Sequence, residues 1–249
     1  MSNSPAARPL PVITSLSPRE VLRGTWALFQ LSWPTCLPLA LVGVTASGVP
    51  GSEAAAAGAA RGLSQGADWW ALYVVSTVLT LACYGAVVLR QRSIADGEPL
   101  PILDALRRGV IGLPKTAATA LLCTAGVLLG GVLLVLPGLA AIVWLSQAWV
   151  IALEGALPVA AIRGSIASVR GRFWPIAKVI AVLLAAVLVF VMLAGIFVGV
   201  LMAAAGKQGP TTVAGQTLSR LLFGAVIALP VVHVGAALVV LRRYLRGAG

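Results

Sequence analysis

The sequence predicts an all-α, polytopic transmembrane bundle of about six spans, and three observations carry that expectation. Of the 249 residues, 59% are apolar and only 10% are charged, against roughly 45–50% and about 25% in ordinary soluble domains. Several charge-free stretches reach the roughly 18 residues that a helix needs to cross about 30 Å of hydrocarbon. The basic residues, which give a net charge of +11, gather at the ends of those stretches. Positive-inside topology and anionic lipid account for such a distribution, and nucleic acid is not an expected partner.

Residues 1–17 read as a cytoplasmic tail. The stretch MSNSPAARPLPVITSL has one arginine, three prolines and no apolar run, so it does not read as a cleaved signal. Ser17-Pro18-Arg19-Glu20 forms a capping box, with Leu16 and Val21 at the staple positions, and predicts a helix from about Pro18. The first span runs from Trp26 to Val49. Its Pro34 and Pro38 either kink it or mark where an interfacial helix turns into the bilayer. A small-residue loop over 50–68 leads to the second span, Trp69 to Leu89, which opens on a Trp pair and closes on Arg90 and Arg92.

Between 93 and 115, Leu100, Leu103, Leu106 and Val110 recur near helical spacing, and Asp104 and Arg108 form an i,i+4 pair. This predicts a short helix on the membrane face carrying Arg107, Arg108 and Lys115. A third span, Thr116 to Leu136, meets Pro137-Gly138, where the chain reverses into a short fourth span, Leu139 to Leu153. Its length reaches only about 23 Å, so thinning of the bilayer or burial against neighbours is required. Pro158 starts a second amphipathic segment with Val159, Ile162, Ile166 and Val169 on one side and Arg163 and Arg170 elsewhere. A fifth span begins at Trp174-Pro175 and runs over 175–205. An outer loop through Gly209-Pro210 then leads to a sixth span, 218–241.

With both termini inside, 15 of the 18 Lys and Arg residues face the cytoplasm, leaving Arg61, Lys207 and Arg220 outside. LRGTWALFQLSWP (Leu22 to Pro34) and IRGSIASVRGRFWP (Ile162 to Pro175) share an Arg-Gly, a short amphipathic stretch and a Trp-Pro, with LRRGVIGLP (Leu106 to Pro114) as a truncated copy. The implied unit is one interfacial helix plus two spans, used three times.

The stretch LPGLAAIVW through ALEGALPVAAIRGSIASVRGRFWPIAKVI resembles the YciC-type bacterial inner-membrane proteins and the membrane domain fused to some glycerophosphodiester phosphodiesterases. Pro137, Gly138, Glu154, Arg163, Ser165, Arg170, Gly171 and Trp174 carry the likeness. The resemblance implies a bacterial inner-membrane bundle and no activity, since the phosphodiesterase of the fused members is a separate soluble barrel for which this chain has no residues left over.

Few residues offer chemistry. Glu154, at the apolar end of the fourth span, is expected to be clamped by an arginine of the following segment, Arg163, Arg170 or Arg172. His233 lies mid-span after Pro230 and is expected to hydrogen-bond a neighbour or a freed carbonyl. Gln147 is expected to face another helix as polar glue. Gly126-x-x-x-Gly130 and Gly195-x-x-x-Gly199 are expected to pack spans within the monomer. Cys36, Cys83 and Cys123 have no ligand spacing and read as buried hydrophobes. No phosphate loop, nucleophile elbow or metal motif appears. The expected function is therefore non-enzymatic and without cofactor: a module that organises anionic lipid or joins a membrane-protein partner. Its headgroup ring would be Arg90, Arg92, Arg107, Arg108, Lys115, Arg163, Arg170 and Arg172. A small transporter or channel subunit is the alternative.

Overall fold

A computed structural model describes residues 17–56, 67–133, 135–204 and 213–247. The tail to Leu16, Arg61, Lys207 and the Gly209-Pro210 loop lie outside the described residues. The described chain is all helical: α1 (Pro18–Ala56), α2 (Ala67–Ala95), α3 (Ile102–Leu133), α4 (Val135–Leu145), α5 (Ala148–Leu153), α6 (Pro158–Val169), α7 (Phe173–Ala204) and α8 (Val213–Gly247). Five of these, α1, α2, α3, α7 and α8, hold segments long and apolar enough to cross a membrane. The chain is a multi-pass membrane bundle.

The capping signal at Ser17 is used: its hydroxyl accepts the Glu20 backbone N–H at 3.2 Å. From there α1 continues through Pro34 and Pro38 as one helix. Ser32 and Thr35 donate to the Phe29 and Ser32 carbonyls at 3.4 and 3.1 Å in the proline-bearing turns. The second interfacial helix is likewise fused to its span. α3 runs unbroken from Ile102 through Pro114, where Thr116 donates to Gly112 and Leu113 at 3.2 and 3.1 Å. A separate helix over 93–115 followed by a span from Thr116 is therefore corrected to a single helix.

The reversal after α3 falls just before Pro137. Pro137 and Gly138 occupy the first turn of α4, where a proline without an N–H does no harm. Their role is close approach: a Cβ on Gly138 would stand 3.0 Å from the Gly131 Cα, and one on Gly130 would stand 3.1 Å from the Pro137 carbonyl oxygen. Gly126 packs on Leu145 lower in the same hairpin, as its spacing predicts, whereas Gly195 and Gly199 face open space. The fourth span is also corrected. Pro137–Leu153 is shorter than a membrane-crossing helix and breaks at Ser146-Gln147 into α4 and α5.

Only the third repeat keeps its interfacial helix separate. There α6 begins with Pro158 at its first position and ends at Val169, and just beyond its cap Gly171 has a left-handed φ of +80° that suits glycine. α6 buries Ala161, Ser165 and Val169 and leaves Val159 and Ile166 exposed. The apolar face read from spacing is thus split: Val159 and Ile166 face outward, toward where lipid would lie, Ile162 is half-buried, and Val169 packs inward with the small residues Ala161 and Ser165.

The core sits among α1, α2 and α8, joined by the first turns of α7 and by α5. One cluster gathers Val21, Leu28, Val88, Val150, Val179 and Ala236. A second gathers Cys36, Ala40, Ala86, Ala105, Ala228 and Val232. Small residues let the backbones close: Cβ atoms on Gly43 and Gly109 would meet the Tyr84 ring at 2.9 Å and the Ala82 carbonyl oxygen at 2.7 Å. More than half of the α8 span is buried (56%), against 11% for those of α3 and α7. α8 is thus the central post, and α3 and α7 are its lipid-side walls.

Candidate functional site at the arginine-rich end

The helices bring distant polar residues to one end of the bundle. α1 and α2 run antiparallel, with Thr80 donating to Gly43 at 3.0 Å and Arg90 Nε donating to Thr35 at 2.9 Å. The second Arg90 arm caps the Leu100 carbonyl, and Arg243 at the end of α8 caps Ala95. Ser93 accepts the Leu100 N–H at 2.9 Å. The loop joining α2 to α3 is thereby pinned to the end of α8, with Asp96 lying 3.7 Å from Arg92 and 3.8 Å from Arg243.

At the centre is Glu154, the C-cap of α5, whose side chain is only 11% exposed. Arg246 reaches one oxygen at 2.6 Å, and Arg92 reaches the other at 3.5 Å. Arg242 grips both, at 3.0 and 3.4 Å, while another of its nitrogens approaches the Ser168 hydroxyl at 3.4 Å. This is a fork on a carboxylate, the strong geometry for a charge-assisted pair. The clamp expected of Glu154 is present, but its partners are corrected. They come from α2 and α8, and neither Arg163 nor Arg170 is among them. Three guanidiniums around one carboxylate leave a local surplus of positive charge.

Beside the clamp, a cleft of about 600 Å³ opens between α2, α3 and α5. Arg92, Arg108, Lys115, Asp96, Glu98 and Glu154 supply its polar wall, and Leu89, Leu100, Ile111 and Leu153 supply apolar wall. Lys115 Nζ donates to the Gly155 carbonyl at 3.1 Å across the mouth. The i,i+4 pair expected between Asp104 and Arg108 is not among the described ion pairs; Arg108 turns to the cleft instead. Of the eight basic residues singled out from sequence, Arg90 and Arg92 are tied into the fold, and Arg108 and Lys115 line the cleft. Arg107, Arg163 and Arg170 are exposed elsewhere, and Arg172 is half-buried. Trp174, 73% exposed, sits with half-buried Pro175 in the first turn of α7, as a membrane-interface residue would.

The remaining polar residues do different work. Ser165 of α6 stitches the α4–α5 break, accepting the Gln147 backbone N–H at 3.2 Å and donating to Trp144 at 2.6 Å. Gln147 is buried at this break, yet neither atom of its side-chain amide has a hydrogen-bond partner among the described residues, so it is the Gln147 backbone, and not the side chain expected to act as glue, that makes the join. Gln91, not singled out from sequence, is the amide that bonds across helices. It donates to Val232 of α8 at 2.7 Å and approaches Ser32 of α1 at 3.4 Å. His233 is also corrected: it packs edge-on against Phe29 at 5.5 Å and beside Trp26 at 6.3 Å, with no hydrogen bond among the described residues. It borders an almost wholly apolar cleft of about 390 Å³ between α1, α7 and α8. Within the described residues, no group of three or more His, Cys, Asp or Glu side chains is placed to hold a metal ion.

The signal for the missed arginines was present. Arg242 and Arg246 are one helical turn apart, so they share a face and can converge on one acid. No family model matches the chain, and no curated protein or solved structure matches it either.

Proposed function

We propose that the protein is a non-enzymatic module of a bacterial inner membrane, of the YciC-like kind, that organises anionic phospholipid at the cytoplasmic face and presents that face to a membrane-protein partner. One observation supports this above the rest: the start of α1, the α2–α3 loop, Glu154 and the end of α8 converge on one arginine-rich end. Basic residues near an anionic surface contribute about 1 kcal/mol each, and positive-inside bias would turn this end to the cytoplasm. Gentle detergent extraction followed by native mass spectrometry tests the lipid reading. Phosphatidylglycerol or cardiolipin should be retained over phosphatidylcholine, and equal retention of all three would overturn it. A reporter fused near Gly112 should read cytoplasmic; a periplasmic signal there would reject the orientation.

A second reading, a small transporter or channel subunit, is favoured by the buried amide of Gln147, which has no partner among the described residues, at a helix break, since transporter sites use interrupted helices. Solute flux in proteoliposomes would favour it, and a lipid-retaining protein without flux would leave the module.

A further inference from the structure

Resting on the lipid-organising reading, we propose that the cleft between α2, α3 and α5 is a discrete seat for the phosphate of a phospholipid headgroup, held by Arg108 and Lys115 of α3. Arg108, Ile111, Gly112 and Lys115 line it together, and their i, i+3, i+4, i+7 spacing places them on one helical face. The space beside Gly112 is open, since a Cβ there would meet nothing within 4 Å.

The charges around the cleft favour an anion despite its carboxylates. Asp96 lies against Arg92 and Arg243, and Glu154 lies against Arg92, Arg242 and Arg246. Those two acids are therefore outnumbered by their own partners, and Glu98 alone opposes Arg108 and Lys115. Arg108 belongs to no ion pair among the described residues, and Lys115 spends one donor on Gly155. A guanidinium fork and an ammonium are the usual holders of phosphate oxygens. The volume suits a small polar group, and a free phosphate has no use for the remaining lining. Leu89, Leu100, Ile111 and Leu153 offer apolar wall for the glycerol and the first methylenes that a lipid carries with its phosphate.

This reassigns the headgroup role. The α6 arginines, Arg163 and Arg170, are exposed and line no part of the cleft, so toward this seat they supply only field.

The test compares two variants with equal charge change in the full chain: Arg108→Gln/Lys115→Gln in the cleft, and Arg163→Gln/Arg170→Gln on α6. Both pairs are exposed, and unchanged thermal unfolding in detergent without added lipid checks that each variant folds. If either destabilises, Lys115→Ala and Arg163→Ala replace them. Phosphatidylglycerol binding, titrated by native mass spectrometry, should weaken at least about ten-fold in the cleft variant, which loses two charge-assisted contacts to the phosphate, and only a few-fold in the α6 variant, whose cations act through the field of an extended anionic surface that a detergent micelle lacks. Inorganic phosphate is titrated in parallel. Failure to displace the lipid at millimolar concentration assigns the seat to a lipid phosphate, whereas displacement with equal affinity overturns the lipid assignment in favour of a soluble phosphate. Equal weakening in both variants overturns the cleft while sparing the general lipid reading. No retained anionic lipid in the wild-type protein overturns both.

Discussion

Replacing Glu154 by Gln removes one charge from a cluster of four. Deleting one partner of a fully buried ion pair costs about 3–5 kcal/mol, because the other charge stays behind without compensation. Here Arg242 is the partner held from water, at 16% exposure, while Arg92 and Arg246 at 33% and 46% can rehydrate. Glutamine also keeps one acceptor for the fork. The discounted cost is about 2 kcal/mol, which for a chain of this size corresponds to a fall in Tm of about 4–8 °C. Thermal unfolding in a fixed detergent, followed by intrinsic tryptophan fluorescence, measures it. A double-mutant cycle locates it: Glu154 and Arg242→Gln should couple by about 1 kcal/mol or more, while Arg246→Gln, though nearest at 2.6 Å, should couple less because it is half exposed. Arg163→Gln and Arg170→Gln should be additive with Glu154→Gln to within about 0.5 kcal/mol. A Tm shift under about 1 °C, or coupling to Arg163 in place of Arg242, would refute the clamp.

Gly109→Ala should destabilise by about 1–3 kcal/mol, since its Cβ would stand 2.7 Å from the Ala82 carbonyl oxygen and 3.2 Å from the Ala86 nitrogen, which are backbone atoms that yield poorly. Gly112→Ala, on the same helix with open space, should gain up to about 1 kcal/mol from helix propensity; equal Tm shifts for the pair would contradict the α2–α3 crossing. Gln147→Leu should be neutral or raise the Tm, because its buried amide has no partner among the described residues and burying such a group costs about 1–3 kcal/mol. A loss of several degrees would mean that the amide is bonded after all.

Which of these features was legible in the sequence follows from what each depends on. Helix existence and the membrane environment depend on local composition, so α1, α2, α7 and α8 stand close to their expected places. The cap at Ser17 depends on four consecutive residues, and its hydroxyl accepts the Glu20 N–H as expected. Breaks between helices are harder, because Pro114 ends an interfacial segment on paper, whereas in the fold α3 runs through it with Thr116 bonding the preceding turn. Gly171, whose positive φ no other residue type adopts easily, is what separates α6 from α7; neither of the other two repeat copies has an Arg-Gly-Arg before its aromatic-Pro or Leu-Pro step.

Glu154 marks where local reading ends. The arginines nearest along the chain are carried away because Gly155, at φ +101°, turns the backbone before α6 begins. Of the arginines that do arrive, Arg92 comes from α2, and Arg242, 88 residues further on, and Arg246 are delivered by antiparallel packing of α8 on α1. Finding them requires knowing which helices pair, and pairing in a membrane is set by shape and small-residue contacts more than by apolar periodicity, since lipid is as apolar as leucine. What sequence alone could have offered is the reverse inference. Arg242 and Arg246 sit one turn apart where the last apolar span ends, and two cations on one face at a span end call for an acid from elsewhere. Glu154 is the acid that meets them. The same reasoning separates clamp from cleft: arginines whose charge the fold consumes, such as Arg242, hold helices together, and those it leaves over, such as Arg108, are the ones available to a ligand.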